Sequence, residues 1–397
     1  MNAAHDGDTI RVVQGTYLEA VTIAKSVTLE GGWSPDTLHR DWNVYKTMIN
    51  AHKAGSAIRT SGRISPTVEG FDLTGGDASD YLGWGGGILI DGIWTGSGLA
   101  VIRHNVITDN VACTTSSCQG YGGGIMVYSS GSIIEYNTVI SNAARTGGNG
   151  SGTGGGIAIW GYPSDSMVAH NDIISNTAVF SPAGAFANGE GGGFWAEHDA
   201  TLIDNELRGN VAAVKGKGLG GRAYAGGELY DNRILSNTAS VNGTGLGGGV
   251  YAYYVGDFDS NRVQGNVASS YGDGTGGALY AVYLRRAQHN QVGGNTATRG
   301  GGVYFNTYTG SQAFTDNQVT RNHATGTNLG TLDGGGGIAS RADWVMTVSM
   351  TTSVATAPDR PAAHTTLRAI QALPTARRAT ITSAWDRRWL ERARMWA

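Results

Sequence analysis

The sequence predicts an all-β chain, a single parallel β-helix (β-solenoid) of about eleven to thirteen coils. Three observations carry this. A pair of asparagines five residues apart recurs eight times, at intervals of 27 to 34 residues. Clusters of glycine lead repeatedly into short apolar strands. Gly makes up 64 of the 397 residues and charged residues only 15%, which is too much Gly for a helical protein, and it follows no Gly-X-Y period. A repeat of this length on fixed small and amide positions marks a stack of coils, each burying its apolar face on its neighbours.

Residues 1–78 alternate apolar and polar side chains between Gly turns and read as the first coils. The runs are TIRVV (9–13), AVTIAKSVTLEGGW (20–33), TMINA (47–51), AIRT (57–60) and TVEGFDLTGG (67–76). Residues 79–340 hold the repeat. Its units open on GGGILI (85–90), GGGIMV (122–127), GGGIAI (154–159), GGGFWA (191–196), GGGVYA (247–252), GGALYA (276–281) and GGGVYF (300–305). The Asn pairs are Asn105/Asn110, Asn137/Asn142, Asn171/Asn176, Asn205/Asn210, Asn232/Asn237, Asn261/Asn266, Asn290/Asn295 and Asn317/Asn322. The stretch GLGGRAYAGGELYDN (218–232) is irregular, and GGGGIAS (334–340) opens a ninth unit that no Asn pair completes.

The parity of the unit assigns its faces. Positions i and i+2 of a strand share a side. The residue two after each first Asn is apolar (Ile107, Val139, Ile173, Leu207) and must face the core, so the first Asn faces in as well. The second Asn has the opposite parity, which predicts a corner between the two, where Ser141, Ser175, Gly209, Ser236, Gly265 and Gly294 stand. Inward amides need partners, and stacked Asn side chains supply them to one another as a ladder. An alanine two after each second Asn (Ala112, Ala144, Ala178, Ala212) predicts a close approach of two walls. The Gly clusters predict corners of positive φ.

Residues 341–397 break this pattern. They contain no Gly and no Asn, nine Arg, no Lys and four acids, a net of +5 that leaves −8 for residues 1–340 out of a total of −3. Two readings stand side by side: a helical cap over LRAIQALPTARRATI and WDRRWLERARMW, or a frame change or truncation of the true repeat near Ser340.

Gly triplets before apolar strands, combined with Asn pairs spaced five apart, resemble the right-handed parallel β-helix repeat proteins of the pectin-lyase-like superfamily. They are also similar to the GGAI/FxxN repeats of bacterial polymorphic outer-membrane proteins. GDTIRVVQGTYLEAVTIAKSVTLEGG (7–32) is similar to the opening coils of many secreted β-helix proteins. The resemblance covers about residues 7–340 and implies a right-handed helix and an extracellular or cell-envelope location. It spans polysaccharide lyases, glycoside hydrolases, epimerases and non-catalytic surface proteins, so fold does not select the activity. Only MNAAHD precedes the GDT segment, with no signal peptide, and a longer native N-terminus is the expectation.

Net charge of −3 offers nothing general to nucleic acid or anionic lipid. No apolar run approaches the ~20 residues of a transmembrane helix. Cys113 and Cys118, in CTTSSC, are expected to form a local disulfide, with two free thiols as the alternative.

Chemistry on a filled coil must sit outside it. The residues flanking the first Asn are expected to face outward, giving His170 and Asp172, Asp204 and Glu206, and Asp231 and Arg233 on three consecutive coils. Coils lie ~4.8 Å apart, so these groups share one patch. It could serve a lyase, with Arg233 or His170 as base and Ca²⁺ held by Asp172, Asp204 and Glu206, or a hydrolase using two carboxylates. A groove over Asp204 roofed by linkers 142–156 and 176–193 would favour the enzyme. The alternative is a solvated face with a Glu206–Arg233 ion pair. A second outward column is aromatic: Trp195, Tyr251, Tyr280 and Tyr304, with Trp160 and Tyr253 two positions further along. It is expected to receive the apolar faces of sugar rings, or alternatively to stack on itself. The leading expectation is a monomeric secreted or surface protein that binds polysaccharide or a surface partner without catalysis, needing no cofactor unless Ca²⁺ is bound.

Overall fold

In the computed structural model the chain is all-β, 56% strand, with no helix among the described residues. These are residues 3–92, 98–161, 166–180, 187–197, 200–220, 222–224, 227–306, 313–326, 336–340, 347–352 and 365–368. The strands stack in parallel as a β-solenoid of about nine turns. One column runs Thr9–Val13, Thr28–Trp33, Thr67–Glu69, Leu99–Arg103, Gly131–Glu135 and onward to Ala313–Thr320. The fewer turns than the eleven to thirteen coils expected have a structural reason. The wall carrying the alanines begins only at an Asp77–Val111 bridge and the strand Val111–Cys113, so the first two rungs lack it.

Each full turn has four walls. The strand after the Gly cluster and the strand before the Asn pair lie in line as the first wall, and in Val250–Asp259 and Leu279–Gln288 they fuse into one strand. Three-residue second and third walls follow each Asn, as in Val106–Thr108 and Val111–Cys113. A two-residue fourth wall, such as Gly120–Tyr121, returns the chain to the next Gly cluster.

Both Asn columns are ladders. Asn105 Nδ2 donates to Asn137 Oδ1 at 3.0 Å and to Val68 O at 3.0 Å, and Asn105 N donates to the same Asn137 Oδ1 at 3.0 Å. Asn176 repeats the scheme on the second column, with Nδ2 donating to Asn210 Oδ1 at 3.1 Å and to Val139 O at 2.8 Å. From the second rung on, each ladder oxygen therefore accepts twice, while Asn105 and Asn110 on the first rung each accept one backbone N–H. The alanine column meets the fourth wall as its size demands. A Cβ on Gly152 would lie 2.1 Å from Ala178 O, and one on Gly218 would lie 1.6 Å from Ala239 O.

The Gly triplets work by more than the positive φ the sequence suggests. The first Gly turns the corner, as at Gly191 with φ +61. The second and third have ordinary φ but no room: a Cβ on Gly86 would lie 2.6 Å from Val111 O, and one on Gly87 would lie 2.6 Å from Ile107 Cγ2. They let the first wall lie directly on the Asn-bearing ones.

The irregular unit is resolved by register. Val211–Leu219 runs through the third and fourth walls without a linker, and Arg222 occupies the rung beyond Trp195. Beyond Ser340 the stack continues for one rung, Thr347–Thr352 on Ala313–Thr320, and Thr365–Arg368 pairs back antiparallel. The helical segments suggested for the tail lie outside the described residues, apart from Leu367 and Arg368, which are in that strand.

Candidate functional site

The predicted acidic patch sits at a corner that parity did not show. The residue before each first Asn is left-handed: φ lies between 51 and 58 at His104, Tyr136, His170, Asp204, Asp231, Ser260, His289 and Asp316. The predicted corner before the second Asn is present too, at Asp109, Ser141, Ser175, Gly209 and their equivalents. His170, Asp204 and Asp231 thus stand on a bend, while Asp172, Glu206 and Arg233 stack in register on the second wall beyond it.

Side-chain partners divide the patch rather than unite it. Glu206 is held from two sides, by Arg233 at 2.8 Å and Arg208 at 2.7 Å, which is the ion-pair alternative. Asp204 Oδ2 lies 3.1 Å from His170 Nδ1. Asp172 and Asp231 are exposed and have no side-chain partner among the described residues. No group of three or more His, Cys, Asp or Glu among the described residues is placed to hold a metal ion. The linker 146–151 joins the third and fourth walls and packs on the loop of residues 113–118, not over Asp204.

His170 instead ends a ring stack. Trp42, His104, Tyr136 and His170 stack with centroids 4.6, 5.3 and 4.8 Å apart; the last three lie on successive coils, and Trp42 reaches His104 from two coils back, past Gly70. Burial in this stack pushes the His104 imidazole below its ordinary range.

The aromatic column has the predicted direction but not the predicted exposure. Trp195, Tyr280 and Tyr304 face away from the coil interior, yet they are buried, at 7%, 8% and 5% exposure. Their neighbours Leu89, Met126 and Ala158 in the same column are wholly buried. The reason is the Gly corner, which folds so sharply that a Cβ on Gly191 would lie 2.9 Å from Trp195 Cβ. The wall is concave there, and side chains from both arms cover the floor. Trp84 and Tyr121, each immediately before its Gly triplet, and Tyr128 and Trp160, at the far end of the strand, are half-buried over Leu89, Met126, Ala158 and Trp195. Their rings touch: Tyr121 stacks on Trp160 at 5.2 Å, Trp84 meets Tyr128 at 4.6 Å, and Trp160 meets Tyr128 at 5.5 Å. Burial first, then Glu190 and Glu197, push the Tyr121 phenol up. Toward the C-terminus the same column becomes a tyrosine ladder. Tyr251, Tyr280 and Tyr304 stack at 5.2 and 5.5 Å, while Tyr253 lies half-buried beside Tyr251 at 6.5 Å. The sequence missed Trp84, Tyr121 and Tyr128, although WGGG and YGGG carry the signal.

Along the same wall lies a polar network that the sequence also missed. Asp257, 5% exposed, is bound by Arg285 at 2.9 Å and Arg286 at 2.6 Å. The Tyr230 hydroxyl donates to Glu228 Oε2 at 3.0 Å, and burial together with that carboxylate holds the phenol far above its ordinary range. Two acids thus face two guanidiniums, with Arg285 also 3.7 Å from Glu228. Cys113 and Cys118 are joined as a disulfide.

A scan against protein-family models and searches of curated proteins and of solved structures each returned no match. Nor is any helix among the described residues long and apolar enough to cross a membrane.

Proposed function

We propose that this protein is a secreted or cell-surface β-helix repeat protein of pectin-lyase-like type that binds polysaccharide, without catalysis, through the concave aromatic wall at the Gly corner. The observation that carries this reading is the half-buried cluster of Trp84, Tyr121, Tyr128 and Trp160 packed outside the coil core. Each ring is fixed by its neighbours and keeps part of its surface in water, so a sugar's apolar face can stack at little entropic cost. Further along the axis the half-buried Tyr251 and Tyr253 are the ladder's partly exposed rings, with Tyr280 and Tyr304 buried behind them. The non-catalytic part is supported by the pairing of Glu206 with two arginines and by the neutralised Asp257 network.

Affinity electrophoresis on a panel of neutral and uronate polysaccharides tests the reading. Trp160→Ala and Tyr121→Ala are expected each to weaken binding about three- to tenfold. Tyr136→Ala, at the exposed second-wall corner, is expected to leave it unchanged. A Trp160/Tyr121 double variant that binds like the parent protein sinks the aromatic reading. Release of unsaturated or reducing ends by the pure protein overturns the non-catalytic one.

A further inference from the structure

We propose that the Cys113–Cys118 disulfide is a thiol-exchange site, in which an incoming thiolate attacks Cys118 and Cys113 is expelled as a thiolate held by Arg145. The inference starts from Arg145, one coil beyond Cys113 in register with it. Arg145 is 1% exposed. Its guanidinium donates to Thr115 O at 3.0 Å, to Asn149 O at 3.3 Å and to Cys118 O, while its Nε has no partner. Among the described residues no carboxylate pairs with it. A buried cation satisfied only by neutral carbonyls is costly, and burial pushes this guanidinium below its ordinary range.

The nearest side-chain acceptor is sulfur. Arg145 Nη1 lies 3.4 Å from Cys113 Sγ. In the disulfide that sulfur is a weak acceptor, but as a thiolate it would be the anion the site lacks. The surrounding chain is shaped around the guanidinium: a Cβ on Gly150 would lie 2.8 Å from Arg145 Cζ, and one on Gly148 would lie 3.0 Å from its Nη2. The other ionisable group on packed elements is Asp77, one coil back. Its carboxylate accepts from Thr114 Oγ1 at 3.0 Å and from the Ser79 hydroxyl, and so is occupied by hydroxyls.

Access fixes the direction of exchange. Cys113 is wholly buried and Cys118 is 8% exposed, so the external thiolate reaches Cys118. The new S–S bond forms there as the old one breaks, and the electron pair leaves on Cys113, the sulfur beside the cation. A lower thiol pKa makes the better leaving group. With a dithiol reductant, its second thiol then displaces Cys118. The reductant ends as a disulfide, Cys118 takes a proton, and Cys113 remains as the thiolate.

Three measurements test this. Glutathione, used as a monothiol probe on the whole protein and trapped by acid, is expected to appear on Cys118 in peptide mapping, whereas an adduct on Cys113 overturns the assignment. In Cys118→Ser, where Cys113 is the sole thiol, thiolate ultraviolet absorbance is expected to titrate below the ordinary value of about 8.5, and a value at or above it sinks the proposal. Arg145→Met is expected to slow reduction by dithiothreitol on the order of tenfold, with Arg145→Lys restoring part of the rate. An Arg145→Met rate equal to that of the parent overturns the role of the guanidinium. If Arg145→Met does not fold, the glutathione mapping and the Cys118→Ser titration still decide.

Discussion

The inside of the second wall and the outside of the first differ in kind. Along the Asn corners one solution repeats through eight coils, an inward amide with an αL residue before it, and from the second coil on each amide oxygen accepts twice. Across the Gly corner the backbone repeats as faithfully, but its outer side chains change from tryptophan-rich over Leu89, Met126 and Ala158 to a tyrosine ladder at Tyr251, Tyr280 and Tyr304. A buried amide has few ways to satisfy itself, so its solution is copied. A concave outer wall has no such constraint, so it is the part free to differ, and that is where recognition is sought.

The sharpest way to break this comparison is within the ladder. Asn176→Ala removes the acceptor for Asn142 N at 3.0 Å and the donor to Val139 O at 2.8 Å, all deep in the stack. It is expected to cost about 3–6 kcal/mol in denaturant unfolding, from two or more orphaned buried groups at about 1–3 kcal/mol each. Asn322→Ala, on the last paired rung and only part-buried, is expected to cost about 1–2 kcal/mol because water replaces the lost bonds. Equal losses would mean that stacking does not set the cost.

A second test separates backbone conformation from the concave wall. Gly191 and Gly294 both have positive φ, +61 and +65. A Cβ on Gly294 meets nothing within 4 Å, whereas on Gly191 it would lie 2.2 Å from Phe194 O. Gly294→Ala is expected to cost about 1 kcal/mol, the ordinary left-handed penalty. Gly191→Ala is expected to cost at least about twice that and to perturb the near-ultraviolet circular dichroism of the tryptophans. Identical stabilities would remove the argument that the corner's tightness buries Trp195.

A third test concerns pH at the N-terminal coils, where the quantity read is the change in a deficit between neutral pH and acid. Burial pushes Glu69 up, but hydrogen bonds from Arg103 and Arg40 outweigh it and leave its carboxyl below the ordinary range. A lowered folded-state value means the stabilisation is present above the unfolded carboxylate range and is lost as pH falls through the lowered value. Glu69→Gln is expected to cost about 1–3 kcal/mol at neutral pH and less in acid. A variant whose deficit is the same at pH 7 and pH 3 would show that the charge is immaterial there.

Part of the candidate site was legible and part was not. Direction was legible: Leu89, Met126 and Trp195 do leave the coil on the outer side. Exposure was not, because alternation assumes a flat wall and the wall folds back on itself at Gly191. The corner patch failed differently. Its residues are neighbours as predicted, but which acid meets which cation depends on side-chain reach, and Arg208 takes part without belonging to either predicted column.

The amino-acid order by itself determined the parallel solenoid, the two inward Asn columns and the tight alanine seam. Each is a local parity rule repeated until only one stack satisfies its buried amides. Only the tertiary structure decided that an outward aromatic is covered, that Glu206 is neutralised, and that Arg145 lies against Cys113 with no acid beside it. Those depend on the sharpness of corners and on contacts between coils about thirty residues apart, which no period in the sequence encodes.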